Sequence, residues 1–152
     1  MGMSLSKAGL VVATFTTVAL PVQILTGYLA DRLANPPLIF GFLVLQSAAV
    51  MVLALSTNIY GALLFAIMYG IALGGRSPLL VAIRGEYFGR KAFASIMGIS
   101  MIPSNVFSIV APLFAGYMFD NTGSYFIPFT VFALINFFGT LPMLLVRKPT
   151  HR

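Results

Sequence analysis

The sequence predicts an all-α fold, a polytopic membrane helical bundle with five transmembrane helices. Three observations predict it. Hydrophobic residues make up 59% of the 152 residues and charged residues only 8%, against roughly 25% charged in an ordinary soluble domain. Mean hydropathy is +0.99. The apolar residues also run in stretches of about twenty, the length that crosses a hydrocarbon core. A soluble fold would lack the polar residues to cover this much apolar surface, and a disordered chain would not carry it.

The first span, Ala8–Ala30, is too long for a signal peptide and ends in Asp31-Arg32 rather than a small-residue cleavage site. The second is Leu38–Leu55 and the third Ile59–Ile83. The third holds the glycines from Gly70 to Gly75, read as packing residues, and a lone Arg76. The fourth, Ala94–Met118, carries Ser100, Ser104 and Ser108 at every fourth position, with Asn105 beside them and Pro103 nearby. That spacing makes one polar stripe, read chiefly as a seat for a neighbouring helix. The fifth, Phe126–Val146, has Phe126, Phe129, Phe132, Phe137 and Phe138 for lipid contact, while its Asn136 has no assigned role. Short polar joints are expected at Asp31–Pro37, Ser56–Asn58, Arg84–Phe93 and Asp120–Tyr125, none long enough for a soluble domain.

Counting Lys and Arg orients the chain in a cell membrane. With the N-terminus external, the inner segments hold Arg32, Arg84, Arg90, Lys91, Arg147, Lys148 and Arg152, and the outer ones only Lys7. The C-terminus is therefore expected to be cytoplasmic. The +6 formal charge lies at the ends of apolar runs, so the implied partner is the lipid bilayer and not nucleic acid. No cysteine is present, and the single histidine, His151, is next to last. Metal-ligand clusters, paired catalytic carboxylates and phosphate-binding loops are missing from the pattern, so no cofactor and no enzyme activity are expected. The three acids, Asp31, Glu86 and Asp120, sit at span ends or in joints. None is placed as a proton-coupling group near the bilayer midplane.

A repeat lies inside the chain. Gly27-Tyr28-Leu29-Ala30-Asp31 ends the first span and Gly116-Tyr117-Met118-Phe119-Asp120 ends the fourth, each with a proline upstream, Pro21 and Pro112. Residues four apart share a helix face, so the glycine is expected to admit a close neighbour while the aspartate reaches the interface. The first copy ends inside and the second outside, as inverted repeats do. Spans one and four then correspond, and so do two and five. Span three begins a second repeat whose partner should precede span one.

These residues also carry a family resemblance. Gly27-x-x-x-Asp31-Arg32 at a cytoplasmic helix end resembles a loop signature of the major facilitator superfamily. Glu86-Tyr87-Phe88-Gly89-Arg90-Lys91 with Ile96-Met97-Gly98 is similar to that family's connection between helices ten and eleven. The stretch from Ala111-Pro112 through Gly123-Ser124-Tyr125 is similar to its connection between eleven and twelve. The resemblance implies that residues 1–152 are a partial C-terminal transporter bundle, helices eight to twelve, an incomplete three-plus-three half. Its missing partners are the N-terminal transporter helices. The implied function is movement of a small-molecule substrate by alternating access.

Arg76 is the leading substrate-binding candidate. A charge inside a span costs at least about 2.5–3.5 kcal/mol on insertion scales and usually faces a bundle interior or a wet cavity. An anionic group such as a carboxylate is the ligand it would attract; the alternative is a residue that snorkels or ties helices together. The resemblance puts Gln23, Arg76 and Asn105 on cavity-lining helices. Gly27, Asp31, Arg32, Arg84, Glu86 and Arg90 form the candidate cytoplasmic gate, their charges also sufficient to set topology. A second reading of the whole chain stays open: a small self-contained membrane protein that packs with a partner membrane protein.

Overall fold

The computed structural model describes residues 5–33 and 36–146, with the backbone alone at 31–33 and 90–92. The described chain is helical nearly throughout: α1 (Leu5–Leu33), α2 (Pro36–Leu55), α3 (Ile59–Thr122) and α4 (Phe126–Thr140), closed by a 3-10 turn at Leu141–Leu145. Among the described residues five stretches are long and apolar enough to cross a membrane: Leu5–Ala30, Pro36–Leu55, Ile59–Gly89, Phe93–Thr122 and Phe126–Leu145. These match the five expected spans, with ends moved by a few residues.

Two joints differ from expectation. The polar stretch Arg84–Phe93 is not a loop, because α3 runs through it and departs from helical geometry only at Gly89 (φ 66°, ψ 176°). That region is open essentially to glycine alone, so one residue breaks the helix into two arms, 59–89 and 93–122. The stretch from Asp120 begins as helix as well. α3 ends at Thr122, where Gly123 (φ 66°, ψ 10°) donates its N–H to the Phe119 carbonyl at 2.7 Å, a left-handed glycine cap. At the other end of α3, Asn58 caps the helix by accepting from the Gly61 N–H at 3.0 Å.

The first arm of α3 is the centre of the bundle. α1 packs on one side of it and α2 on the other, and α4 packs on α2. Small residues set the approach. A Cβ on Gly74 would stand 2.5 Å from the Ala19 carbonyl oxygen of α1, and one on Gly70 2.7 Å from that of Phe15. On the other face, a Cβ on Gly75 would collide with the Phe42 ring of α2. Backbone therefore lies against backbone, the packing that substitutes for hydrophobic attraction in lipid. The glycines from Gly70 to Gly75 serve packing, as read from the sequence. At the end where α1 meets α2, Ala30, Ile39, Leu79 and Ile83 form the buried core, flanked by Leu38, Phe42, Leu80 and Tyr87.

Close approach does not occur at the repeated glycines. A Cβ on Gly27 would meet Pro78 at an ordinary 3.9 Å, and one on Gly116 would meet nothing within 4 Å. Nor does the serine stripe seat a helix of this chain. Residues 101–110 are all exposed. The Ser108 hydroxyl donates to the Ser104 carbonyl at 2.9 Å and Ser100 to the Met97 carbonyl at 3.0 Å. Thr14, Thr16, Thr26, Ser77 and Thr122 use the carbonyl four residues back in the same way. Such bonds satisfy a hydroxyl without a neighbouring helix, which suits it to an apolar medium.

The fifth span is only partly a lipid face. Phe126, Phe137 and Phe138 are exposed, but Phe132 packs its ring on Phe114 with centroids 5.8 Å apart. Asn136 now has a role. Its Oδ1 accepts from the Ser47 hydroxyl at 2.7 Å, joining α4 to α2 through a side-chain hydrogen bond.

Candidate functional site

Arg76 lies on the first arm between Gly74 and Pro78, where three helices meet. Glycine draws α1 in at one side, and Pro78 has no N–H for the Gly74 carbonyl, which loses its helical partner. Ser77 turns its hydroxyl back to the Leu73 carbonyl at 2.7 Å. Arg76 is half-buried, and its Nε is buried with no hydrogen-bond partner among the described residues. Leaving a buried donor unpaired costs about 1–3 kcal/mol. Nε–H and one Nη form the fork that receives a carboxylate or phosphate through two parallel hydrogen bonds. The helix continues thirteen residues beyond Arg76 to Gly89, about 20 Å at the helical rise. The sequence reading ended this span at Ile83 and so placed Arg76 closer to the helix end.

Gln23 and Gly27 are brought together. With Leu20, Ile24, Tyr28 and Pro78 they line a groove of about 440 Å³ between α1 and the first arm. The Gln23 backbone nitrogen is 3.2 Å from where a Gly74 Cβ would sit, two residues from Arg76, while its side chain is exposed. Asn105 is elsewhere. It stands exposed on the second arm with no hydrogen bond to Arg76 or Gln23 among the described residues.

Of the gate candidates, the Asp31, Arg32 and Arg90 side chains lie outside the described residues. Glu86 is exposed and is not without a partner. Arg84 is half-buried and donates from Nη1 to the Met97 sulfur at 3.3 Å, spanning the break at Gly89 from one arm to the other. A Cβ on Gly85 would touch the Phe93 ring at 3.9 Å. The two arms thus meet beside the break through Arg84–Met97, with the Phe93 ring standing over Gly85 at the distance a Cβ would reach. Sequence reasoning missed both Gly89 and Met97. A glycine in the middle of a charged joint was the available signal for the first, and nothing pointed to a thioether acceptor for the second.

A larger cleft of about 670 Å³ lies at the opposite end, between the end of α2 and the turn joining α3 to α4. Phe119, Tyr125, Phe126 and Phe129 line it, and none of the candidate residues does. The Phe119 and Tyr125 rings stack at 4.4 Å.

No curated protein matches the chain. The family model of the Major Facilitator Superfamily matches it over residues 1–152. Five apolar helices and the motifs at both ends of the second arm agree with that match, and the chain belongs to the Major Facilitator Superfamily.

Proposed function

We propose that this chain is the C-terminal portion of a secondary active transporter, helices eight to twelve, that moves a small organic anion by alternating access. Family members are transporters of small molecules, which supplies the general activity. The observation that carries the finer reading is the buried, unpartnered Nε of Arg76, a donor set apart from the described protein groups and chemically matched to an anion. Gln23 lines a groove against Pro78, two residues along the arm from Arg76, and on this reading it and Asn105 join the site only when the helices rearrange around it. The reading is supported by the inverted correspondence of spans one and four, and by a second arm that finds little of its packing within the chain.

The cytoplasmic gate on this reading is the region around Gly89. Arg84 holds the two arms together through Met97, and Asp31, Arg32, Glu86 and Arg90 supply the charges that part and close. The C-terminus faces the cytoplasm, following the distribution of Lys and Arg. No native cysteine is present, so single cysteines placed at Thr57 and Lys91 test the orientation directly. An impermeant maleimide should label the first from outside cells and the second only after permeabilisation.

The DNA upstream of Met1 tests the partial-transporter reading: a continuous frame encoding seven further helices supports it. A natural stop there, with stable expression of the five-span chain, would favour the self-contained module. In the completed protein, uptake of labelled carboxylates should be lost in Arg76→Ala and Arg76→Gln and partly retained in Arg76→Lys. Unchanged substrate affinity in the first two variants removes Arg76 from the site.

A further inference from the structure

Two turns before Arg76 on the same arm stands Tyr69. Seven residues separate them, so they share a helix face about 10 Å apart along the axis. Among the described residues, Tyr69 and Arg84 are the ionisable neighbours of Arg76. Leu73, half-buried, occupies the position between Tyr69 and Arg76 on that face.

The Tyr69 ring is held in place. Phe15 of α1 meets it edge-on, with centroids 6.0 Å apart and planes at 84°, and Phe65 lies against it at 5.2 Å. The phenol oxygen, by contrast, has no hydrogen-bond partner among the described residues, and the residue is only half-buried. A fixed ring with a free hydroxyl resembles Arg76 in one respect: both present polar hydrogens that no described protein group uses. The glycine contacts explain the alignment. Gly70 and Gly74 bring α1 onto the arm at Phe15 and Ala19, so Phe15 reaches Tyr69 from the neighbouring helix.

We infer that Tyr69 is the second contact of the Arg76 site, and that the site takes an organic anion with a flat apolar body, such as an aryl carboxylate. The inference rests on the reading of Arg76 as an anion site. The carboxylate pairs with the Nε–Nη fork, the linker lies over Leu73, and the ring packs against Tyr69, Phe15 and Phe65. Favourable ring–ring contact adds to apolar burial, and the Tyr69 hydroxyl is free to bond a polar substituent on the far side of the ring.

Equilibrium binding to the purified chain in phosphatidylcholine nanodiscs tests this, with empty discs as the partitioning control. The probes are 3-phenylpropanoate, butanoate and 3-phenylpropanol. Wild type should prefer 3-phenylpropanoate to butanoate by roughly threefold to tenfold, and should bind the alcohol weakly. Tyr69→Leu should abolish the ring preference while leaving butanoate binding in place, and Tyr69→Phe should keep the preference. Phe15→Leu provides a second route to the same loss if Tyr69→Leu does not fold. A preference unchanged in Tyr69→Leu, or in Phe15→Leu where it is the variant that folds, overturns the inference and leaves the anion site standing. Arg76→Gln that still distinguishes acid from alcohol overturns the anion site itself, as does a wild-type chain that binds neither acid above empty discs at millimolar concentration.

Discussion

The two arms of α3 are near twins in sequence character and opposites in surroundings. They span 31 and 30 residues, and each is apolar enough to cross a membrane. The first carries Ala62, Ala66, Gly70, Gly74 and Pro78 at every fourth position; the second carries Ser100, Ser104, Ser108, Pro112 and Gly116 at the same interval. Yet 33% of the first arm's most apolar window is buried and 0% of the second's. A row of small residues therefore prepares a helix face for close packing without ensuring that anything packs there. On the proposed reading, the second row is the seat of a helix outside these five.

The largest expected effect comes from filling the two rows. Gly74→Leu would drive a side chain into the Ala19 carbonyl, a backbone atom that moves only with the whole of α1. Overpacking of this kind costs about 3 kcal/mol, the top of its usual range. Ser104→Leu on the second arm, by contrast, should leave the isolated chain unchanged within about 0.5 kcal/mol. SDS titration of both purified variants measures the difference. Equal loss would mean that the second arm packs in solution after all.

Next is the break between the arms. Gly89 occupies backbone space that an alanine enters at about 1–3 kcal/mol. Gly89→Ala is expected to cost about 2 kcal/mol or to straighten the joint, whereas Gly98→Ala, with nothing within 4 Å of its new Cβ, should gain up to about 1 kcal/mol from helix propensity. The same titration, run beside circular dichroism, separates loss of stability from loss of helix.

A smaller effect probes what holds α4 to the bundle. Ser47 is 5% exposed and bonds to Asn136. Ser47→Ala should cost about 0.6 kcal/mol, the mean for such bonds between membrane helices. Ser108→Ala on the exposed arm should cost less, since it removes only a bond to its own helix.

The spans were legible in the sequence because hydropathy and length alone define them. The glycines of the third span were legible as packing residues for the same local reason. Arg76 stood out because a charge within twenty apolar residues needs an explanation. What escaped was pairwise. Asn136 finds Ser47 eighty-nine residues away, and no periodicity within one span encodes such a partner. The serine row shows the limit of a local pattern: its spacing prepares a face for packing, and no helix among the described residues covers it. The joint Arg84–Phe93 was read as a loop from its charges, but charged residues are good helix formers, and only Gly89 breaks the chain.

The smallest effect is the most informative about how the arms move. The Arg84 hydrogen bond to Met97 uses a weak acceptor, so Met97→Leu, which nearly preserves volume, should change stability by less than about 1 kcal/mol. Its consequence should appear in geometry instead. With Arg84 released, the arms remain joined through Gly89 alone, and the angle between them is less constrained. Spin labels on single cysteines at Val81 and Val106, one exposed position on each arm, report that angle as a distance distribution. Met97→Leu should broaden it, and Gly89→Ala should narrow it or shift its centre. A Met97→Leu distribution as narrow as wild type would mean that Gly89 alone sets the angle, and that Arg84 contributes charge at this end of the bundle without bracing the second arm.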